Sequence, residues 1–237
     1  MKTKVGFTRI IDIHSHFLPE SDDGFSSPTD SLNDIKRFYE EGVTDIILTP
    51  HHRRRYNLPP EELKRRFENY KKKVSEIVPV RLYLGQEIYA QEDIKEDLKA
   101  GKLLTMNGTE YVLIEFSFNV EAEISETVYE LANLGYKPIV AHLERYAYVD
   151  LSVAEDIKSV GGFIQINADS LIDGERTYRK KAREFLKNGL VDFIASDHHH
   201  KRPFALKKAL GLVERKRGVE TAEKLFFGNA AKITDKD

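Results

Sequence analysis

All eight histidines of this 237-residue chain fall in four short places: His14 and His16, His51 and His52, His142, and the run His198 to His200. Imidazole binds divalent metal or moves protons near neutral pH, and the His-x-His spacing turns both rings to one side of an extended strand. Carboxylates keep them company. Asp22 and Asp23 follow the first pair, Glu87 and Glu115 close two apolar runs, and Asp197 precedes the triple histidine. Imidazole and carboxylate without sulfur suit manganese, iron or zinc, and about nine ligands exceed the ~4–6 that one ion takes. Two or three ions sharing a bridging carboxylate would use them all. Each pattern also has a plain reading: His-x-His as surface polarity, Glu115 in a salt bridge, "SDHHH" as a polar loop. Glu115 is the sharpest case, because a carboxylate inside the apolar run "VLIEFS" must be paired, protonated or metal-bound. Alternation puts Asp197 and His199 on one side and leaves His198 and His200 as bystanders.

The elements that must position these groups show as seven apolar, β-branched runs: "RIIDIHSH", "TDIILTPHH", "VRLYLGQEIYA", "EYVLIEFS", "KPIVAHLER", "GFIQINADS" and "VDFIASDHHH". Helical segments lie between them, such as "DSLNDIKRFYEEG", with Leu32, Ile35 and Phe38 on one face, and "AREFLKNG", which closes on Gly189. Strands alternating with helices imply a parallel sheet, either open or closed. No Gly-x-Gly-x-x-Gly turn follows the first run, which favours the closed form, a (β/α) barrel. Every histidine and candidate carboxylate then sits at the carboxyl end of a strand or just after it, the barrel face where active sites are built. The closing stretch "PFALKKALGLVERKRGVETAEKLFFGNAAKI" reads as two helices, and residues 1–237 as a single domain.

Lys and Arg number 37 against 39 Asp and Glu, so the formal charge of −2 gives no overall attraction to nucleic acid or anionic membrane. Any pull on an anionic substrate is local, and Arg53, Arg54 and Arg55 beside His51 offer one, steering an acidic phosphopeptide unless they form only a solvated loop. Arg145, just past His142, has the planar fork that suits phosphoryl oxygens; its plain role would be a salt bridge to Glu144 or a helix carboxylate. Tyr56 and Tyr146 are candidates to stack on an aromatic leaving group, or simply to pack. The absence of cysteine removes disulfides, thiolate zinc sites and cysteine nucleophiles. No apolar leader and no run of roughly 20 apolar residues is present, so a cytoplasmic location without membrane insertion is expected.

"IDIHSH" with "DDG" close behind, "TPHH", "QEI", "IEF", "AHLERY" and "SDHH" resemble, in order and spacing, the polymerase-and-histidinol-phosphatase (PHP) superfamily. Within it they are most similar to the manganese-dependent tyrosine phosphatases of bacterial capsule and exopolysaccharide clusters, from Ile11 to about Asn229. The resemblance implies a distorted (β/α)7 TIM-like barrel of PHP type that holds three metals, most readily Mn, with Fe or Zn as alternatives. His14, His16, Glu87 and Asp197 would hold the first ion, with Glu87 as the bridge. Glu87, Glu115 and His142 would hold the second, and Asp23, His51 and His199 the third. Arg145 and Arg202 match the family's phosphate-holding arginines. It further implies attack of a metal-activated hydroxide on the phosphotyrosine tail of a bacterial tyrosine autokinase; a homo-oligomer is compatible with this. The alternatives are a small-molecule PHP phosphatase such as histidinol phosphatase, an amidohydrolase-type barrel, and a non-catalytic module that keeps metals for structure.

Overall fold

The computed structural model describes residues 9–90, 93–118 and 120–235, and within them each apolar run becomes parallel strand. β1 is Ile10–Ser15, β2 Val43–Leu48, β3 His51–His52, β4 Arg81–Leu84, β5 Glu87–Tyr89, β6 Tyr111–Glu115, β7 Lys137–Val140, β8 Phe163–Asn167 and β9 Phe193–Ala195. Two runs are broken in the middle. "TDIILTPHH" divides at Thr49 and Pro50, where proline has no N–H to give the ladder, and "VRLYLGQEIYA" divides at Gly85 and Gln86. Pairing resumes in the same direction beyond the break, β2 with β4 before it and β3 with β5 after it. From β5 the ladder passes through β6, β7 and β8 to β9, all parallel. The chain just past β9 meets β1: the Asp197 N–H donates to His14 O at 2.8 Å and the His16 N–H to His198 O at 3.0 Å. The result is an α/β fold around a curled parallel sheet.

Helices cover the outer face. α1 (Pro28–Glu40) starts with Pro28 and a Ser27 hydroxyl that accepts from the Asp30 N–H at 3.2 Å, and it buries Ile35 and Phe38 while Leu32 is only partly covered. α2 (Pro60–Ser75) buries Leu63, Phe67, Tyr70 and Val74. α3 (Ile94–Lys99), α4 (Ile124–Asn133), α5 (Leu151–Ser159), α6 (Ala168–Ile172) and α7 (Arg176–Lys187) follow in turn. α7 stops where the sequence says it should, with Gly189 at φ +73° and the Leu190 N–H returning to Phe185 O at 3.1 Å. α8 (Leu206–Arg217) precedes α9 (Val219–Glu223), which runs through a wide π turn at Lys224–Gly228 into α10 (Asn229–Thr234). Among the described residues no helix is long and apolar enough to cross a membrane.

Alternation along the strands lifts the functional groups to one end of the inner face. Tyr111 and Leu113 precede Glu115 on β6 and Phe163 precedes Gln165 and Asn167 on β8, each series at every second position, while Phe193 and Ala195 face the same way on β9, which ends before Asp197. The apolar members form an inner cluster with Ile11, Ile13, Ile47 and Ile139, closed by Met106 and by Ala230 and Ile233 of α10. β1 departs from strict alternation: Asp12 pairs with Ile46 but Ser15 with Leu48, a slip in register. Ile11 and Ile13 thus join the inner cluster, while His14, of opposite parity, still reaches Gln165 on that same face.

The turn after β1 depends on close approach at Gly24, where a Cβ would lie 2.1 Å from His16 O and 2.5 Å from His16 Cβ. No rotamer relieves a clash with backbone. Gly24→Ala is therefore expected to cost about 2–3 kcal/mol in urea unfolding, the scale of overpacking a tight interior; a change below about 0.5 kcal/mol would contradict this packing.

Candidate metal centre

Each candidate ligand is aimed by a neighbour. His14 Nδ1 lies 3.1 Å from Gln165 Oε1 and His16 Nδ1 2.7 Å from Asp22 Oδ2, which leaves both Nε2 atoms facing inward, 3.3 Å apart. Asp22 also accepts from the His51 N–H at 3.0 Å, tying the first strand end to the second. Gln165 accepts from the His142 N–H at 2.8 Å, and the Gln165 amide donates to Asn167 Oδ1 at 2.9 Å. Asn167 in turn donates to Asp197 Oδ2 at 2.9 Å. His142 and Asp197 both adopt left-handed backbone, φ +34° and +49°, a conformation costly for non-glycine residues that turns their side chains back over the strand ends.

Glu87 stands at the centre. Its Oε2 lies 3.3 Å from His14 Nε2, 3.4 Å from His16 Nε2 and 2.8 Å from His51 Nδ1, and its Oε1 lies 3.0 Å from His142 Nε2. Glu115 Oε1 is 3.7 Å from His142 Nε2. Asp197 Oδ1 sits 3.6 Å from His14 Nε2 and 3.4 Å from His16 Nε2. Asp23 Oδ1 is 3.4 Å from the Nε2 atoms of both His51 and His199. Donor atoms of three sets converge to within 4.8 Å: His16, Asp23, His51 and His199; His14, His16 and Asp197; and His51, Glu87 and Glu115. Compared with the expected ligand sets, His16 also reaches the third group, and His51 stands closer to the Glu87 and Glu115 pair than anticipated.

These donors fit divalent cations better than they fit one another. Despite its 2.8 Å contact with His51, Glu87 Oε2 has no hydrogen bond among the described residues; Glu115 Oε2 and His142 Nδ1 are likewise buried without one. Unpaired buried polar atoms are expensive, and a cation placed among these imidazoles and carboxylates would give the unbonded oxygens and nitrogen a partner. Burial, and then the charge of Glu87, pushes Glu115 up to about 8. Burial opposes ionisation of Glu87 too, yet the His14 and His51 imidazoles hold it well below the usual range. Burial drives His142 down to about 4, so at neutral pH it is an unprotonated ligand. The chemistry is that of an oxygen and nitrogen site without sulfur.

A cavity of roughly 330 Å³ opens onto the cluster, and its rim carries arginines. Arg145 Nη1 and Arg202 Nη1 donate to Asp197 Oδ2 at 3.1 and 2.7 Å, and Arg53 Nη2 donates to Asp23 Oδ2 at 2.8 Å. A family model for capsular polysaccharide synthesis, CpsB/CapC, matches residues 10–235. The chain belongs to the CpsB/CapC family. It is 33% identical to the tyrosine-protein phosphatase CpsB of Streptococcus agalactiae, over 94% of this chain and 98% of that protein. It is 32% identical to the tyrosine-protein phosphatase YwqE of Bacillus subtilis, over 89% and 86%. One solved structure from the pair YwqE of Bacillus subtilis and CpsB of Streptococcus pneumoniae, described as metal-dependent tyrosine phosphatases, superposes with a TM-score of 0.89. It is 30% identical to this chain, with 96% of each covered.

Within this CpsB/CapC site several sequence expectations change. Tyr146 is fully buried and its hydroxyl accepts from the Phe116 N–H at 2.9 Å, so it packs and does not face a leaving group. Arg145 pairs with Asp197, whereas Glu144 is buried, accepts from the Asn167 N–H at 3.0 Å and is pushed by burial to about 7. His198 turns away from the cluster, its Nε2 3.0 Å from Asp34 Oδ2 and its ring among Phe17, Phe38 and Phe204, where it pins α1 beneath the site. Asp197 and His199 do both face the cluster, but β9 ends at Ala195, so left-handed backbone and not strand alternation brings them there. Sequence reading missed Gln165 and Asn167, although two amides inside the apolar run "GFIQINADS" are a visible signal.

Because Glu115 has a folded pKa near 8, above its ordinary 4.5, the native state holds more protons than the unfolded chain between those values. Its contribution therefore falls as pH rises through that window in metal-free protein. Glu115→Gln is expected to raise the melting temperature of chelator-stripped protein at pH 8 by roughly 3–6 °C and to shrink the further rise on adding Mn²⁺. A stripped variant that melts below the parent would overturn this charge assignment.

Proposed function

We propose that the chain is a metal-dependent protein-tyrosine phosphatase. The observation that carries this reading is the convergence of eight imidazole and carboxylate side chains, with His142 beside Glu87, beneath two arginines, in a frame shared with relatives of that activity. The finer parts of the proposal are a distorted (β/α)7 barrel of PHP type, formed by residues 1–237 as one domain, and two or three divalent ions, Mn²⁺ foremost. His14, His16, Glu87 and Asp197 would hold one ion, Glu87, Glu115 and His142 another, and Asp23, His51 and His199 a third. The substrate would be the phosphotyrosine tail of a bacterial tyrosine kinase that controls capsule or exopolysaccharide synthesis, met in the cytoplasm.

When bound, such ions set positive charge against the phosphate dianion and acidify a water into reach of neutral pH. The chain's own residues do the rest. Gln165 and Asp22 hold the Nδ1 sides of the His14 and His16 rings and so aim their Nε2 atoms into the cluster. Arg145 and Arg202, both resting on Asp197 Oδ2, can turn their remaining N–H groups to the equatorial phosphoryl oxygens, where negative charge spreads during transfer. Phe118, stacked 5.4 Å from His142 with Arg145 4.9 Å above its ring, gives the cavity an aromatic wall for a tyrosyl leaving group. A phenol with pKa near 10 leaves more readily than an alkyl alcohol, which favours aryl phosphates over histidinol phosphate.

Purified protein is expected to release phosphate from phosphotyrosine peptides with Mn²⁺, to stop on chelation, and to turn over histidinol phosphate far more slowly. Arg145→Met should reduce kcat/KM by roughly 10²–10³ with the melting temperature little changed, the scale of losing one donor to the transition state. Turnover that survives complete chelation would end this reading.

A further inference from the structure

The loop that follows β3 carries positive charge that the metal centre leaves unused. Arg53 and Tyr56 close a tight turn, the Arg53 N–H donating to Tyr56 O at 2.9 Å and the Tyr56 N–H to Arg53 O at 2.6 Å, which places Arg54 and Arg55 at its tip. Arg53 is committed: it bonds Asp23 at 2.8 Å, approaches Glu115 at 3.6 Å and lies 5.5 Å over the Tyr56 ring. Arg54 and Arg55 are exposed, and neither has an ion-pair partner among the described residues. Beneath them is a second cavity of roughly 400 Å³, walled by Tyr56 and Tyr89 and bounded by Asp23 and Arg53. Asp23 and Arg53 also border the catalytic cavity, so the two spaces share one wall.

Two unpaired guanidiniums over an aromatic floor make a site for carboxylates on an extended segment. Because the two cavities share Asp23 and Arg53, residues close in sequence to a phosphotyrosine held at the cluster would meet the turn. Resting on the phosphatase reading above, we propose that the Arg54 and Arg55 turn, with Tyr56 and Tyr89, is a specificity subsite for acidic residues that flank the phosphotyrosine of a peptide substrate. A chain with overall charge −2 would otherwise repel such a peptide weakly; this patch reverses the sign where the peptide arrives.

The test compares two phosphotyrosine peptides of equal length, one with Asp and Glu on both sides of the phosphotyrosine and one with Asn and Gln in their place, at low ionic strength with Mn²⁺. The parent is expected to favour the acidic peptide by roughly five- to tenfold in kcat/KM, mainly through KM, with the gap narrowing as salt rises. In the double variant Arg54→Glu and Arg55→Glu the preference should vanish or reverse, whereas Arg54→Lys with Arg55→Lys should retain most of it. Rates on p-nitrophenyl phosphate, which cannot reach the turn, should be equal in all three proteins. An acidic preference that persists in the Glu variant, or none in a parent that hydrolyses both peptides, would refute the subsite alone. Failure of the metal-loaded parent to hydrolyse either peptide or p-nitrophenyl phosphate would instead refute the phosphatase reading beneath it.

Discussion

Everything at the mouth of this sheet answers to one constraint: acidic side chains and imidazoles have been taken out of water and set against one another without enough hydrogen bonds to go round. Glu87, Glu115 and Asp197 are buried with His14, His16, His51 and His142. Two arginines donate to Asp197, whereas Glu87 and Glu115 meet mainly histidines, with Arg53 3.6 Å from Glu115, and one oxygen of each glutamate keeps no hydrogen bond among the described residues. Such an arrangement is poor as a protein core and good as a cation trap, because one divalent ion supplies at once the charge and the coordination that the side chains cannot give each other.

The irregular features of the scaffold serve that convergence. A regular parallel sheet would carry apolar residues to its edge. Here the breaks at Pro50 and Gly85 restart β3 and β5 with His51 and Glu87 as paired neighbours, and the register slip in β1 swings His14 onto the face that already holds Gln165. Left-handed backbone at His142 and Asp197 does the same for the later strands. Around these points a layer of amides and carboxylates fixes each ring, which is why Gln165 bonds both His14 and His142 and why Asp22 bonds both His16 and the His51 backbone.

Much of this was legible in the residues. Histidines confined to strand ends, and Glu115 stranded in an apolar run, pointed to the site because both are costly where they stand unless something binds them. The beat of strand and helix pointed to the parallel sheet. What the sequence hid is geometric. A period of two cannot reveal a slip in register, so the route by which His14 reaches the inner face was invisible, as was the left-handed turn that carries Asp197. His198 looked idle beside His199, yet its ring is committed to Asp34 and a phenylalanine pocket, a contact made across 164 residues. Tyr146 looked available and is instead sealed in the core.

The central claim is that cations complete this buried cluster, and elemental analysis of exhaustively dialysed, never chelated protein tests it most directly. The account predicts between two and three divalent ions per chain, with Glu87→Gln retaining at least one fewer because its carboxylate is shared by two of the three proposed ligand sets. A content well below one ion per chain, in protein that still hydrolyses phosphotyrosine peptides, would contradict it.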